Sequence, residues 1–170
     1  MPSSWVTRFA AELAAGSRAL DLACGHGRHA RWLHARGMHV TCVDRDLSGI
    51  DDLTAVAGIE AIQADLENGP AWPLGGRQFD LVVVTNYLHR PLFPDILNAV
   101  DKNGLLIYET FAAGNAQFGR PKNPDFLLQP GELMALMDVR FDVLGFADRM
   151  VQEPRPAVIQ HIAARRREAP

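Results

Sequence analysis

Cysteine is almost absent from this chain: Cys24 and Cys42 are the only two among 170 residues, and each falls in or beside a predicted strand. A disulfide-stapled scaffold is thereby excluded, and a reducing compartment, the cytoplasm, is expected. Long apolar runs are also missing. No stretch reaches the ~20 residues of a membrane-spanning helix, and no charged region followed by an apolar signal core opens the chain. Charge of one sign is not in excess, since 20 acidic and 17 basic residues leave a net charge of -3 and no broad electrostatic footprint for nucleic acid. The short run Arg165-Arg166-Arg167 reads as a solvated strand end. No repeat or low-complexity block is present. His26, His29 and His34 lie close together, but no cysteine or carboxylate completes a ligand set, so no metal is expected and the histidines are expected to face solvent or a cofactor. No Ser-His-Asp spacing stands out.

What is present is enough apolar content, 48%, to bury a core in a chain of single-domain size, and residues 1–170 are expected to form one domain. The stretch Ala19-Leu20-Asp21-Leu22-Ala23-Cys24-Gly25-His26-Gly27-Arg28-His29 carries the most information. An apolar strand ending in an acid passes through two glycines into a helix. Gly25 and Gly27 allow a sharp turn and a ligand approach too close for a Cβ, and the helix beyond presents free amides to an anion. Such turns bind nucleotide-like cofactors. The same residues with Ala30 also fit G-x-G-x-x-A, the dinucleotide fingerprint, so the turn alone does not choose between cofactors.

Three more strands follow. Met38 to Asp44 is rich in β-branched residues, and Asp44 lies where a ribose-binding acid belongs. Ile59 to Asp65 again ends in an acid, and Phe79 to Thr85 is apolar throughout, as in a strand covered on both faces. Asp21, Asp44 and Asp65 would then lie along the carboxyl edge of a sheet, where open α/β folds bind ligands. Taken singly, each could instead cap a turn or helix.

Asp21 to Gly27 as D-x-A-x-G-x-G, then Asp44, Ala64-Asp65-Leu66 and Phe79 to Asn86, in that order, resemble the class I S-adenosylmethionine-dependent methyltransferases over nearly the whole chain. The Cys24-Gly25-x-Gly27-Arg28 turn, the compact length and Gly131-Glu132-Leu133 resemble the tellurite-resistance-like branch. The resemblance implies an α/β, Rossmann-like, doubly wound, mostly parallel seven-stranded sheet with an antiparallel last strand. It implies S-adenosylmethionine as cofactor, with Gly25 to Gly27 cradling its methionine and ribose part and Asp44 holding the ribose hydroxyls. Asp65 and the Leu66 amide would read the adenine edge, Asp21 would act through water or the cofactor's amino group, and Thr85 and Asn86 would line the methionine end. Ala23, also in the cofactor set, stands where the family often has glycine.

Along the rest of the chain, an N-terminal helix over Ser4 to Ala15, within residues 1–17, sets Trp5, Phe9 and Leu13 on one face, either for core packing or as a lid over the first strand. A helix from His26 or Gly27 to Arg36 ends at Gly37, and a second follows Asp46 with Leu47, Ile50, Leu53 and Val56 inward. After Asp65 a loop is expected. Tyr87, His89 and Arg90 follow the fourth strand, where an acceptor would face the methyl group. Tyr87 and His89 are the candidate catalytic groups and Arg90 a substrate contact, with packing and solvation as the alternative. Leu105 to Thr110 is the fifth strand. Residues 111–130 lack a period and read as a substrate loop contributing Arg120, Asn123 and Phe126. A helix over Glu132 to Met137 and strands near Phe141 to Phe146 and Ala157 to Ala163 close the chain.

The expected reaction is direct displacement, with a lone pair of a small-molecule acceptor attacking the sulfonium methyl group and Tyr87 or His89 serving as base where one is needed. The alternatives are a nicotinamide-dependent oxidoreductase, favoured by Ala30 and Arg45, and a non-catalytic cofactor-binding module. Oligomeric state is not readable.

Overall fold

A computed structural model describes residues 1–69 and 72–168. Seven strands form one sheet in the order β3-β2-β1-β4-β5-β7-β6. They are β1 (Arg18–Leu22), β2 (His39–Asp44), β3 (Ile59–Gln63), β4 (Phe79–Thr85), β5 (Val100–Phe111), β6 (Phe141–Val151) and β7 (Ala157–Arg166). Neighbours are parallel from β3 through to β5, whereas β7 runs antiparallel to both β5 and β6. The expected mostly parallel, doubly wound sheet with an antiparallel last strand is the sheet observed.

Period-two alternation assigns side chains to two cores. Leu20, Leu22, Val82, Val84, Leu106 and Tyr108 face one side, where helices α3 (Phe93–Asn98) and α4 (Glu132–Leu136) pack. Ala19, Leu81, Val83, Leu105 and Ile107 face the other, covered by α1 (Ser4–Ala10) and α2 (Arg28–Ala35). The uninterrupted apolar run of β4 follows from this double cover: Leu81 to Val84 are fully buried. Each such side chain contributes roughly 1.5–3 kcal/mol by leaving water.

Several elements differ from the sequence reading. α1 stops at Ala10 rather than Ala15, and the second expected helix is a kinked 3-10 segment, Ser48–Leu53, with non-helical dihedrals at Ile50. Gly49 and the Asp51-Asp52 pair oppose a regular helix there, yet Ile50 and Leu53 still reach the core. β5 begins five residues early and β6 ends five residues late. Residues 111–130 are tied to the sheet by a bridge from Ala112 to Leu128 and hold two short 3-10 turns, Asn115–Gln117 and Pro124–Phe126.

The order of strands reverses between β1 and β4, so their carboxyl ends diverge into a crevice. The glycine turn, Asp44 and the segment after Thr85 all open onto it. No described helix is long and apolar enough to cross a membrane.

Candidate active site

β1 leaves the sheet through Ala23 at φ 54°, and the chain returns to the left-handed region at Gly25 (φ 53°) and again at Gly27 (φ 66°). Only glycine adopts these angles without strain, which accounts for the family preference at position 23. The two glycines have different physical reasons. A Cβ on Gly25 would meet nothing within 4 Å, leaving room for a ligand against the backbone. A Cβ on Gly27 would lie 2.6 Å from Ile50 Cγ2 and 3.3 Å from Leu53 Cδ1, so the missing side chain there also serves packing.

Asp21 is 1% exposed, and its Oδ2 accepts the Ala30 amide of α2 at 3.0 Å, which fixes that helix against β1. Its Oδ1 is buried without a partner. Burial pushes this carboxyl up to about 7, opposed by the Ala30 amide and Arg28 and reinforced by Asp44. Asp44 accepts the Gly25 amide at 2.8 Å and the Asp46 amide at 3.1 Å, so one carboxylate holds the glycine turn and the loop after β2 together. Asp65 lies two residues beyond β3, exposed, and accepts the amides of Glu67 and Asn68. Its carboxylate caps its own turn, while Leu66 and Ala64 face the crevice.

That crevice is a cleft of about 410 Å³ bordered by Ala23, Asp44, Leu66, Asn86, Tyr87 and Phe126. A smaller cavity of about 190 Å³ adjoins it, sharing Asn86, Tyr87 and Phe126 and adding Leu88, Thr110 and Phe111. Asn86 takes φ 55° and its amide donates to Glu109 O, which aims the chain after β4 between the two spaces. The Tyr87 hydroxyl is buried without a partner, and burial together with Glu67, Asp65 and Asp44 raises its pKa, so the phenol keeps its proton. In that form it has a hydrogen-bond donor to offer.

His89 lies just before the 3-10 turn Arg90–Leu92 and borders neither space. Arg90 has its donors engaged: it grips both Glu132 oxygens at 2.7 and 2.9 Å and donates to the carbonyls of Asp125 and Leu127. It organises the 111–130 segment instead of facing open space. The Asn123 side chain caps the turn that carries Phe126, and Arg120 is exposed beside Phe126 in a separate surface hollow. Thr85 is buried, its Oγ1 3.4 Å from His29 Nδ1.

The sequence model of the methyltransferase domain matches residues 19–103, half of the chain. The chain belongs to the methyltransferase-domain family. Among solved structures, TehB from Haemophilus influenzae superposes with a TM-score of 0.76 at 20% identity, covering 98% of this chain and 63% of that one. This methyltransferase-family chain therefore spans less than two thirds of TehB. An S-adenosylmethionine-dependent methyltransferase from Mesorhizobium loti gives 0.71 at 20% identity, covering 95% and 96%. The 1,6-didemethyltoxoflavin-N1-methyltransferase of Burkholderia thailandensis, with bound 1,6-didemethyltoxoflavin and S-adenosylhomocysteine, gives 0.66 at 17% identity, covering 96% and 77%. These likenesses establish a shared fold. No curated protein matches the sequence significantly.

On the α1/α2 face, this methyltransferase-family chain buries a polar cluster that the sequence reading missed. Glu109 of β5 accepts the Ser3 hydroxyl at 2.6 Å and pairs with His161 Nδ1 of β7 at 3.1 Å. Because a carboxylate only accepts, that His161 nitrogen carries a proton. Burial pushes the Glu109 carboxyl up, but His161 and Ser3 outweigh it and leave it below the ordinary carboxylate range. His29, expected at solvent or cofactor, is 1% exposed. Its Nε2 accepts the Ser3 amide at 3.1 Å, and burial with the Arg28 charge holds its pKa down to about 4, so the ring is neutral. The available signal was Glu109 itself, a charge inside the apolar strand Leu105 to Thr110. Trp5 and Phe9 of α1 pack together and on Gly145 of β6, the core reading of that stripe, while Ser3 draws the start of α1 onto Glu109.

Proposed function

We propose that this chain transfers the methyl group of S-adenosylmethionine to a small-molecule acceptor by direct displacement. The observation that carries the reading is the pair of adjoining spaces: a cleft bordered by Ala23 and Asp44 and a smaller cavity meeting it at Asn86, Tyr87 and Phe126. The residues fit the cofactor. Gly25 leaves open room at its Cβ position, Asp44 offers a fixed carboxylate at the rim, and Tyr87 offers a hydroxyl without a partner. We assign Asp44 to the ribose hydroxyls, the Ala64 to Leu66 segment to the adenine, and Ala23, Gly25, Thr85 and Asn86 to the amino-acid side.

When bound, S-adenosylmethionine supplies a methyl group on a positively charged sulfur, which an acceptor lone pair displaces directly. The protein's work is then to hold two reactants aligned and shielded from water. Phe126 and Leu88 give the smaller cavity apolar walls. The protonated Tyr87 hydroxyl donates to a polar atom of a ligand. Arg120 and Asn123 stand at the outer side of the 111–130 segment, where an acceptor enters. The size of the smaller cavity favours a small acceptor over a macromolecule, and the toxoflavin enzyme shows the fold handling such a molecule.

Calorimetry with S-adenosylhomocysteine, and with NADH and NADPH as controls, tests the reading on the wild type and Asp44→Ala. We expect wild-type binding of the homocysteine compound, weakened about tenfold or more in the variant by loss of charged hydrogen bonds. Binding of the nicotinamide cofactors alone would overturn the reading. A chirally labelled methyl group should be transferred with inversion; retention would rule out direct displacement.

A further inference from the structure

A charge carried on a pinned stretch of backbone loses less freedom on meeting a ligand than one on a loose loop, so fixed cations beside a cavity bias what enters it. The backbone around Arg120 and Lys122 is pinned at three points. Buried Asn115 donates to the Pro121 carbonyl at 3.3 Å and accepts the Val158 amide of β7 at 3.2 Å. The Asn123 side chain accepts the Asp125 amide, and Arg90 donates to the carbonyls of Asp125 and Leu127. Arg120 and Lys122 therefore flank a held proline, with their own side chains exposed. Arg31, Arg77, Arg90, Arg140 and Arg167 each pair with a carboxylate, whereas among the described residues Arg120 and Lys122 form no ion pair.

With Pro121, Asn123 and Phe126, these two cations border an outer hollow of about 430 Å³. Pro121 and Phe126 also border the smaller inner cavity, so the two spaces share a wall. Tyr87, Leu88, Phe111 and Phe126 give the inner cavity flat or apolar sides. At about 190 Å³ it is smaller than the ~300–1,000 Å³ of pockets for drug-sized ligands, which leaves room for about one or two rings. Its charged member is Glu67, which also borders the cofactor cleft. An anionic group inside would meet that carboxylate, while the same group outside would meet two cations. Asp125, on the turn that carries Phe126, does not border the hollow.

We propose that the acceptor is a small aromatic or heteroaromatic acid, its ring in the inner cavity and its carboxylate or phosphate group held in the outer hollow by Arg120 and Lys122. The assignment rests on the methyltransferase reading and deepens it by naming the substrate class and the residues that select it. The end of the ring away from the acid group then faces the cleft. A lone pair there bonds to the methyl carbon as the carbon–sulfur bond breaks. The bonding electrons stay on sulfur, and a proton carried by the attacking atom passes to water. Phe126, 46% exposed, offers the ring a flat face on which to lie.

Titration of benzoate, phenyl phosphate, benzyl alcohol and benzylammonium into the protein saturated with S-adenosylhomocysteine, followed by NMR, tests the class. We expect one of the two anions to bind at least about tenfold more tightly than the alcohol, and the ammonium to bind most weakly. The tighter anion tells a carboxylate site from a phosphate site. Added salt should weaken the anion and spare the alcohol, a comparison that needs no variant. In Arg120→Ala/Lys122→Ala the anion's affinity should fall about tenfold or more, with benzyl alcohol and S-adenosylhomocysteine changed less than about twofold. Unchanged thermal unfolding would show that the variant folds. Binding of the alcohol or the ammonium as tight as that of the anions would overturn the assignment, as would an anion affinity that the double variant leaves intact. A wild type that binds S-adenosylhomocysteine and none of the four probes would overturn this inference alone. One that does not bind S-adenosylhomocysteine would overturn the methyltransferase reading with it.

Discussion

At the scale of single residues, Asp21 and His29 are buried ionisable groups whose pKa values move in opposite senses. The Asp21 carboxyl lies at about 7 instead of 3.8, raised first by burial. Its folded pKa exceeds the unfolded one, so its contribution to stability is fully present below about pH 4 and is lost as pH rises through 7. His29 is held down to about 4 from 6.5, first by burial and then by Arg28, so it withdraws stability as pH falls from 6.5 toward 4. Between those limits the two proton balances offset one another. Asp21→Asn, which keeps an acceptor for the Ala30 amide, removes one side of that balance. Its stability relative to the wild type should grow by up to about 1.4 kcal/mol per pH unit between pH 4 and 7 in urea unfolding. A difference that stays constant over this window would show that Asp21 does not titrate there.

At the scale of elements, the glycine turn and the 111–130 segment separate packing from ligand binding. Gly27→Ala meets both a positive φ and Ile50, and should lower stability by roughly 2–4 kcal/mol in denaturant unfolding. Gly25→Ala meets only the positive φ and should cost about 1 kcal/mol while weakening S-adenosylhomocysteine binding. Comparable stability losses in the two variants would contradict the difference in their surroundings. Arg90→Ala frees the carbonyls of Asp125 and Leu127 and strands Glu132, so the segment should open more often. Trypsin cleavage after Lys122 should accelerate about tenfold, the equivalent of one charged hydrogen bond lost. Arg90 was legible as a residue near the acceptor, but its role was not, because Glu132 and the loop carbonyls lie 35 to 42 residues away in sequence.

At the scale of the whole molecule, two cores on opposite faces of one sheet make the crevice a meeting place of distant segments. A ligand spanning it should stabilise the fold as a unit. With S-adenosylhomocysteine at 100 times its dissociation constant, the unfolding midpoint should rise by roughly 5–10 °C, from about 2.7 kcal/mol of linkage in a chain of this size. Asp44→Ala should remove most of that rise. The basic run at the C-terminus also belongs to this scale. Read as a solvated end, it instead ties strands together: Arg165 donates to Asn103 O, Arg166 to Val100 O and Arg167 to Asp142.

Local periodicity and turn chemistry by themselves determined the order of strands along the chain, the glycine turn and the placement of Asp21 and Asp44 at strand ends, because these depend on neighbours a few residues apart. Residues Phe79 to Thr85 announced a strand buried on both faces for the same reason. Only the tertiary structure decided what each functional group meets. It set Gly27 against Ile50 and Phe126 beside Tyr87, and it joined Ser3, His29, Glu109 and His161, which come from four separate segments. Burial and charge at such junctions depend on side chains brought together by the sheet order, and no window of sequence contains them.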